Sequence, residues 1–523
     1  MKKNLAVRAG AARWMLPLAL LAASLGPVGA QAAGASAAAA VMASPAGAVL
    51  FKKATPGVTP FISFAKFGGG ALARAASVEY TIAKADGAHA KPVHVRYSMA
   101  WLAAHGRVGN DGTLTLPVFG LYANLANAVD VTFTFEDSTT QKLPIQIVTA
   151  PYSDPRGIYD QPEILKVRDP DIALGFSYIY IKSSYGTPMI VDTDARIRWV
   201  GTGIDNSFSS AFVDNGFTIG SHDVAGVQRL ELDGTWSSAQ LAGPTIEHFQ
   251  HNIAPGREAR LGGVDTMIDG VENIQSTVIE FKDTGEVLRT WDFVQILGDY
   301  MRAHGDDADA FVRPGSNWLH INSQIYDPSD NTLIVSSREE FVIKLGYDSR
   351  EIVWILGDPT KYWYTFPSLR AKRLALSPKN AYVPIGQHSI NITAAGDLLL
   401  FNNGMRTSPL AVPRGAPLGQ KRDWSAVNVY RINAAKMTAK ETMRYTHDQT
   451  LLSRVCSSAS ESLLDDGGST VLIDFAAAEN DTRMHIVGLG ADGREAFEYV
   501  YTTKDCGAGW NSQPIAFDAL AFE

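Results

Sequence analysis

The chain has 523 residues, 19% of them charged and 10% aromatic, with a formal charge of −8. That composition supplies enough apolar mass for large cores and excludes an intrinsically disordered chain. The acidic balance argues against the basic surface that binding to nucleic acid needs, so no nucleic-acid partner is expected.

The N-terminus opens Met1-Lys2-Lys3, carries Arg8 and Arg13, and runs into an apolar stretch from Trp14 that ends in small residues around Ala30-Gln-Ala32. A basic start, a short apolar run and a small-residue site predict a secretory signal over 1–32. Its removal takes four cations and no acid, leaving the mature chain more acidic still. The run is too short to span a bilayer and no later stretch approaches that length, so no membrane span is expected. Residues 33–48, rich in Ala, Gly and Ser, read as a flexible lead-in.

Residues 49–150 contain short alternating runs such as Val78-Glu-Tyr-Thr-Ile82, Val93-His-Val-Arg-Tyr97 and Val129-Asp-Val-Thr-Phe-Thr-Phe135. Period two with turn residues between the runs predicts a small N-terminal β-sandwich. From 151 to 523 a turn-and-strand unit recurs six times. It reads Asp192-Thr-Asp-Ala-Arg-Ile-Arg-Trp199 in its first copy and Tyr347-Asp-Ser-Arg-Glu-Ile-Val-Trp354 in its fourth. Six such units predict an all-β fold in which a six-bladed β-propeller follows the sandwich. A stacked β-solenoid is the alternative, though its repeats are shorter and more regular. One segment, 292–302, has helical spacing and lies between the third and fourth units.

Three histidines, His251, His320 and His388, open the third, fourth and fifth repeats at nearly equal intervals. In a propeller the first strand of each blade lines the central funnel, so all three would face one space. His320 and Asn322 are two apart and would share a face of an extended strand. Arg338 is the first charge after the run Leu333-Ile-Val-Ser-Ser. A histidine, an amide and a guanidinium converging on one spot suit a tetrahedral oxyanion. Two other readings stand beside this one: histidines that only tie inner strands together, and a zinc or iron site. Against a metal, Arg338 would sit beside the cation with no carboxylate at the equivalent repeat position. His222, His304, His447 and His485 read as ordinary surface or structural histidines. Tyr362 and Trp363, with Trp318 and Tyr326, are candidate walls of an aromatic substrate pocket. Cys456 and Cys506 are the only cysteines and are available to pair in an oxidising compartment.

Trp318-Leu-His-Ile-Asn322 followed by Arg338, Gln387-His388 followed by Gly396-Asp-Leu-Leu-Leu-Phe-Asn-Asn-Gly404, and Phe249-Gln-His251 together resemble the bacterial arylsulfate sulfotransferases. Leu116-Pro-Val-Phe-Gly-Leu-Tyr-Ala-Asn124 in the first domain is similar to that family as well. The resemblance implies a periplasmic enzyme without a cofactor. It would move a sulfuryl group from a phenolic sulfate donor to a phenol acceptor, independent of 3′-phosphoadenylyl sulfate, through a sulfohistidine. It implies His388 as nucleophile, with Arg338, His320, Asn322 and His251 around the sulfuryl oxygens and either His320 or His251 as acid and base. Two features depart from the family pattern. His251 lacks an acidic neighbour, and Cys456 and Cys506 lie far apart in sequence, so any disulfide between them is of a different kind. The absence of a P-loop agrees with a nucleotide-free donor. Oligomeric state is open, a homodimer being one state allowed. The functional alternatives are a secreted non-catalytic propeller that binds a glycan or protein, and a metal-dependent hydrolase on the same scaffold.

Overall fold

The structure is a computed structural model that describes residues 47–243 and 245–523. The expected signal segment 1–32 and nearly all of the 33–48 lead-in lie outside the described residues.

The first part of the chain forms two sheets. One has the strands Leu50–Pro56, Ile62–Gly68 and Leu114–Phe119; the other orders Leu520–Phe522, Val93–Ser98, Ala75–Ile82, Ala126–Phe135 and Thr140–Val148. Alternation sets their faces: Ala126–Phe135 buries every second residue, as a half-covered strand must. Val78, Tyr80, Val95, Leu116, Val131 and Phe133 form their core, which continues without a break into Tyr178, Trp199 and Phe217 of the following part. One boundary differs from expectation. The strand Leu520–Phe522 pairs in parallel with Val93–Ser98, so the last residues belong with the first layer and not with the repeats.

Six sheets follow. Sheet 1 orders Ile197–Val200, Met189–Asp192, Tyr178–Lys182 and Asn511–Ile515, so a strand from near the end of the sequence completes it. Sheets 2, 3 and 4 are consecutive four-stranded meanders that begin at Ser210, Ile246 and Ile321. Sheet 5 begins at His388–Ile392 and gains Ala375–Ser377 on its far edge; sheet 6 begins at Ser458–Leu463 and gains Glu163–Lys166. Each of the six turn-and-strand units from the sequence falls at the last hairpin of one sheet. Inner strands such as Thr332–Ser337 are buried throughout, because neighbouring sheets cover both faces.

The leading strands of sheets 2 to 6 and the strand Asn511–Ile515 touch one another in series. Polar side chains cross the four seams from sheet 3 onward. Gln324 donates to the Asn252 carbonyl at 2.6 Å, Asn322 to the Gln387 carbonyl at 2.8 Å, and Asn391 to the Ala459 carbonyl at 2.7 Å. Ser458 donates to the Ser512 carbonyl at 2.8 Å. Buried backbone carbonyls need such partners, and these bonds fix the sheets relative to one another.

The segment with helical spacing is the helix Phe293–Ala303, capped by the Asp292 side chain, which accepts from the Val294 and Gln295 N–H groups. It buries Phe293, Leu297 and Met301 in a core shared with Phe311 and Trp318. Among the described residues no helix is long and apolar enough to cross a membrane.

Candidate active site

Left-handed residues stand in or just before four neighbouring leading strands, and in three of them the ladder slips beside them. In sheet 3 the ladder slips between Gln250 and Ile253, and His251 has φ +54°. In sheet 4 it slips between Ile321 and Ser323, after His320 at φ +51°. In sheet 5 it slips between His388 and Asn391, with Ser389 at φ +49°. In sheet 6, Cys456 and Ser457, at φ +60° and +83°, precede the strand. Left-handed residues other than glycine are uncommon and cost about 1–3 kcal/mol each, and they gather at functional sites. The kinks break the simple alternation by which His320 and Asn322 were expected to share a face. The His320 ring instead meets that of His251 edge to face at 4.9 Å.

His388 is buried and fully engaged. Its Nδ1 lies 3.0 Å from the Gly386 carbonyl and 2.8 Å from Asn403 Oδ1. Both partners only accept, so Nδ1 carries the proton and Nε2 the lone pair. Nε2 accepts from the Cys456 N–H at 3.2 Å. Asn403 Nδ2 donates to the Ser453 and Cys456 carbonyls at 2.8 and 3.0 Å. One amide thus fixes both the imidazole tautomer and the loop that presents the Cys456 N–H. Cys456 is joined to Cys506 by a disulfide.

His320 has the opposite polarity. Asn317 Nδ2 donates to Gln275 Oε1 at 3.0 Å and lies 2.9 Å from His320 Nδ1. With Nδ1 accepting, His320 turns an Nε2–H outward. His251 packs edge to face against Phe208 and Trp510, with ring centres at 5.5 and 5.8 Å, and its buried Nδ1 has no protein partner.

All three histidines are held neutral. Burial lowers His251 well below the usual range, helped by His388 and Arg338; burial and then Arg338 do the same to His320. Burial and Arg338 lower His388 to about 3, against the opposing pull of its bonds to Asn403 and Gly386. The Arg338 cation therefore reaches every member of the cluster. Its own N–H donates to the His320 carbonyl at 3.0 Å, and its guanidinium lies 2.7 Å from Glu339 Oε1. Glu339 is buried; its other oxygen accepts from the Ser408 N–H at 2.7 Å, and its carbonyl accepts from Lys361 Nζ at 2.8 Å. A carboxylate does therefore adjoin the cluster, though not at the repeat position of the histidines, and it braces Arg338. The compact groups of three metal-ligating side chains among the described residues are His248–Asp265–Glu272 and His447–Glu495–Glu498. The three histidines of the cluster do not form one.

The other expected site residues fall elsewhere. Asn322 is fully buried and spends its Nδ2 on the carbonyl just before His388. Trp318 packs on Phe311, and Trp363 on Phe341, both inside the core. Tyr326 packs on Tyr347, and Tyr362 on Phe311 and Phe366. None of the four walls the histidine cluster. The aromatic rings beside it are Phe208, half-buried, and Trp510, stacked on each other at 4.5 Å. His222 also lies there, edge to face with Phe208 at 5.3 Å and lowered by burial to about 4. Asn403 and Asn317 sat inside the motifs read from the sequence without a role. Phe208, Trp510 and the Cys456 N–H had no local signal, because they reach the cluster only through the packing of separate sheets.

A family model described as Arylsulfotransferase (ASST) matches residues 166–509, and one described as Arylsulfotransferase Ig-like domain matches residues 71–150. The chain belongs to the arylsulfotransferase family. Arylsulfate sulfotransferase AssT of Escherichia coli O6:H1 is 30% identical over 183 residues, covering 26% of this chain and 30% of that protein. The AssT of Lelliottia amnigena is 26% identical over 176 residues, covering 26% of this chain and 29% of that protein. The match thus spans under a third of either relative. Among solved structures, the Cps50 (Swd1) β-propeller domain of Myceliophteria thermophila overlays with a TM-score of 0.33 at 10% identity, covering 66% of this chain and all of that one. That overlay is too loose to bear on function or on the number of blades.

Proposed function

We propose that this protein is an exported arylsulfate sulfotransferase that moves a sulfuryl group from a phenolic sulfate to a phenol through a sulfated His388, without 3′-phosphoadenylyl sulfate. The observation that carries this reading is the tautomer of His388: its proton is committed to Asn403 and Gly386, which leaves Nε2, held in the resting state by the Cys456 N–H, as the ring atom with a lone pair for sulfur. A neutral imidazole with that polarity is a nucleophile at any pH above the acid range.

In the first half-reaction His388 Nε2 attacks sulfur. The N–S bond forms, and the S–O(aryl) bond breaks with its electron pair leaving as phenolate. The imidazole ring becomes cationic, and the Nδ1–H bonds to Asn403 and Gly386 strengthen as it does. Sulfuryl transfer, like phosphoryl transfer, spreads charge over equatorial oxygens, so positioned donors do most of the work. Arg338 and the His320 Nε2–H are the donors available, joined by the Cys456 N–H once His388 Nε2 releases it on bonding to sulfur. His320, as a neutral donor, steadies oxygen without giving up its proton. His251, whose Nδ1 has no protein partner, is the better acid and base. It takes a proton once a bound sulfate ester offsets Arg338, gives it to the departing phenolate, and accepts one from the incoming phenol in the second half. Asn322 acts through position, by holding the Gln387 carbonyl.

The architecture behind this reading is a six-bladed propeller over 151–523 with the N-terminal sheets, 49–150, as a β-sandwich. The six sheets, the series of touching leading strands and the completion of sheet 1 by Asn511–Ile515 support it. The N-terminal leader and the disulfide support export to an oxidising compartment such as the periplasm.

The test is to incubate the protein with 4-nitrophenyl sulfate, quench in alkali and map the adduct by mass spectrometry. Sulfation on His388, with transfer to added phenol that survives chelator, is expected. An adduct on any other residue, or release of phenol only to water, refutes the reading.

A further inference from the structure

We infer that His447, Glu495 and Glu498 form a binding site for a divalent cation of the zinc type, in a cleft between sheets 5 and 6 that the sulfuryl chemistry does not use. Their ligand atoms lie within 4.8 Å of one another. The two glutamates are three apart on the strand Glu495–Thr502 and would ordinarily face opposite ways. The ladder with Arg483–Leu489 slips between Gly488 and Leu489, so that Gly488 pairs with Phe497 and Leu489 with Glu495. The extra residue turns both carboxylates to one side, which is what a bulge does beside functional sites. His447 comes from the other direction, on the turn after Thr438–Tyr445 of sheet 5.

Each ligand is held by a hydrogen-bonding partner, which on His447 and Glu495 engages one atom and leaves the other free. Thr450 Oγ1 donates its proton to the His447 carbonyl at 2.7 Å, so the same oxygen accepts from His447 Nδ1 at 2.7 Å. In the neutral ring the lone pair then belongs to Nε2, which faces the carboxylates. The Tyr445 hydroxyl donates to Glu495 Oε1 at 2.6 Å, and His485 Nδ1 lies 2.7 Å from Glu498 Oε1. His485 is buried and backed in turn by Glu479 at 3.0 Å. Hydroxyl and imidazole groups orienting first ligands in this way are the usual surroundings of a metal centre. Without a cation, His447 Nε2 pairs with Glu498 Oε1 at 3.3 Å, an oxygen that His485 also engages, and a bound cation would replace that pairing.

The cleft is open to solvent, about 530 Å³, and lined by His447 and Glu495 with Asp169, Asp448 and Lys166, while Glu498 is buried. Arg444 and Arg494 line it too, but are paired with Glu441 and Asp492. One imidazole and two carboxylates with room for water suit Zn²⁺ in tetrahedral coordination. The ion would clamp the turn that leaves sheet 5 to the outer part of sheet 6.

The test uses the full mature protein, stripped with chelator and titrated with ZnCl₂ by calorimetry and with CoCl₂ by visible absorption. One equivalent of Co²⁺ giving the intense bands of a tetrahedral site, displaced by Zn²⁺ and accompanied by a rise in Tm, is expected. His447→Ala and the nearly isosteric Glu495→Gln should each weaken binding at least tenfold, and Tyr445→Phe about tenfold. Far-UV circular dichroism checks that each variant is folded. His248→Ala, which removes a ligand of the other compact group, should leave the Co²⁺ bands unchanged. The inference is overturned if the wild-type protein binds neither ion, or if Glu495→Gln binds as tightly as wild type.

Discussion

Asn403→Ala is the sharpest test of the candidate active site, because one amide serves two purposes there. Its Oδ1 takes the His388 Nδ1–H at 2.8 Å, and its Nδ2 holds the Ser453 and Cys456 carbonyls. In the proposed sulfation His388 would become cationic and the bond to Oδ1 charge-assisted, worth about 1.5–3 kcal/mol. The Gly386 carbonyl remains at 3.0 Å and preserves the tautomer, so the loss should stop near that figure. At 1.36 kcal/mol per decade this corresponds to a roughly 10- to 150-fold slower first half-reaction. Two buried carbonyls also lose a donor, which should cost about 1–3 kcal/mol of stability. Rapid quenching with 4-nitrophenyl sulfate isolates the first half-reaction as a burst of nitrophenolate, and thermal melting reads the second effect. A burst within twofold of wild type, in a protein that still melts cooperatively, would refute the assigned role of Asn403.

Four further outcomes follow from the same geometry. Arg338→Ala should lower kcat about 10²-fold or more, as for the loss of a main oxyanion donor, and steady-state kinetics with the melting temperature would separate this from the instability left by unpaired Glu339. Because His388 is depressed from 6.5 to about 3 on folding, its contribution to stability is complete above pH 6.5 and is lost as pH falls through 3. Melting followed from pH 7 to 4 should therefore show acid destabilisation, reduced in His388→Gln. Phe208→Ala should raise KM for aryl sulfates with little change in Tm. Trp363→Ala should instead cost about 3–5 kcal/mol of stability as a core truncation; the reverse pattern would restore Trp363 as a substrate wall.

The strands, their hairpins and the helix Phe293–Ala303 were legible because they depend on local alternation, turn residues and caps. So were His251, His320, His388 and Arg338, which repeat position and motif singled out. The aromatic wall was not legible. Trp318, Trp363, Tyr326 and Tyr362 are close in sequence to the motifs, but a large apolar ring gains most from full burial, and all four pack away from the histidine cluster. Phe208 and Trp510 come from opposite ends of the repeat region, and nothing local marks them. The shared face of His320 and Asn322 failed for a different reason: a left-handed residue and a slipped ladder cancel the period of two, and neither leaves a composition signal when the residue is not glycine.

The seam that completes sheet 1 also governs the order in which this molecule can be assembled. Tyr178–Lys182 is made early and must wait for Asn511–Ile515, the strand on its inner edge, and Trp510 and Cys506 arrive only with that late segment. A growing or prematurely released chain therefore carries every histidine of the cluster, with Asn403 and Arg338, before it has the strand that completes sheet 1. Such a fragment bears the full motif and no working centre, and its sheet 1 exposes an unpaired strand edge, the kind of surface on which chains associate wrongly. Keeping the chain unfolded until its final residues are available protects it from that outcome.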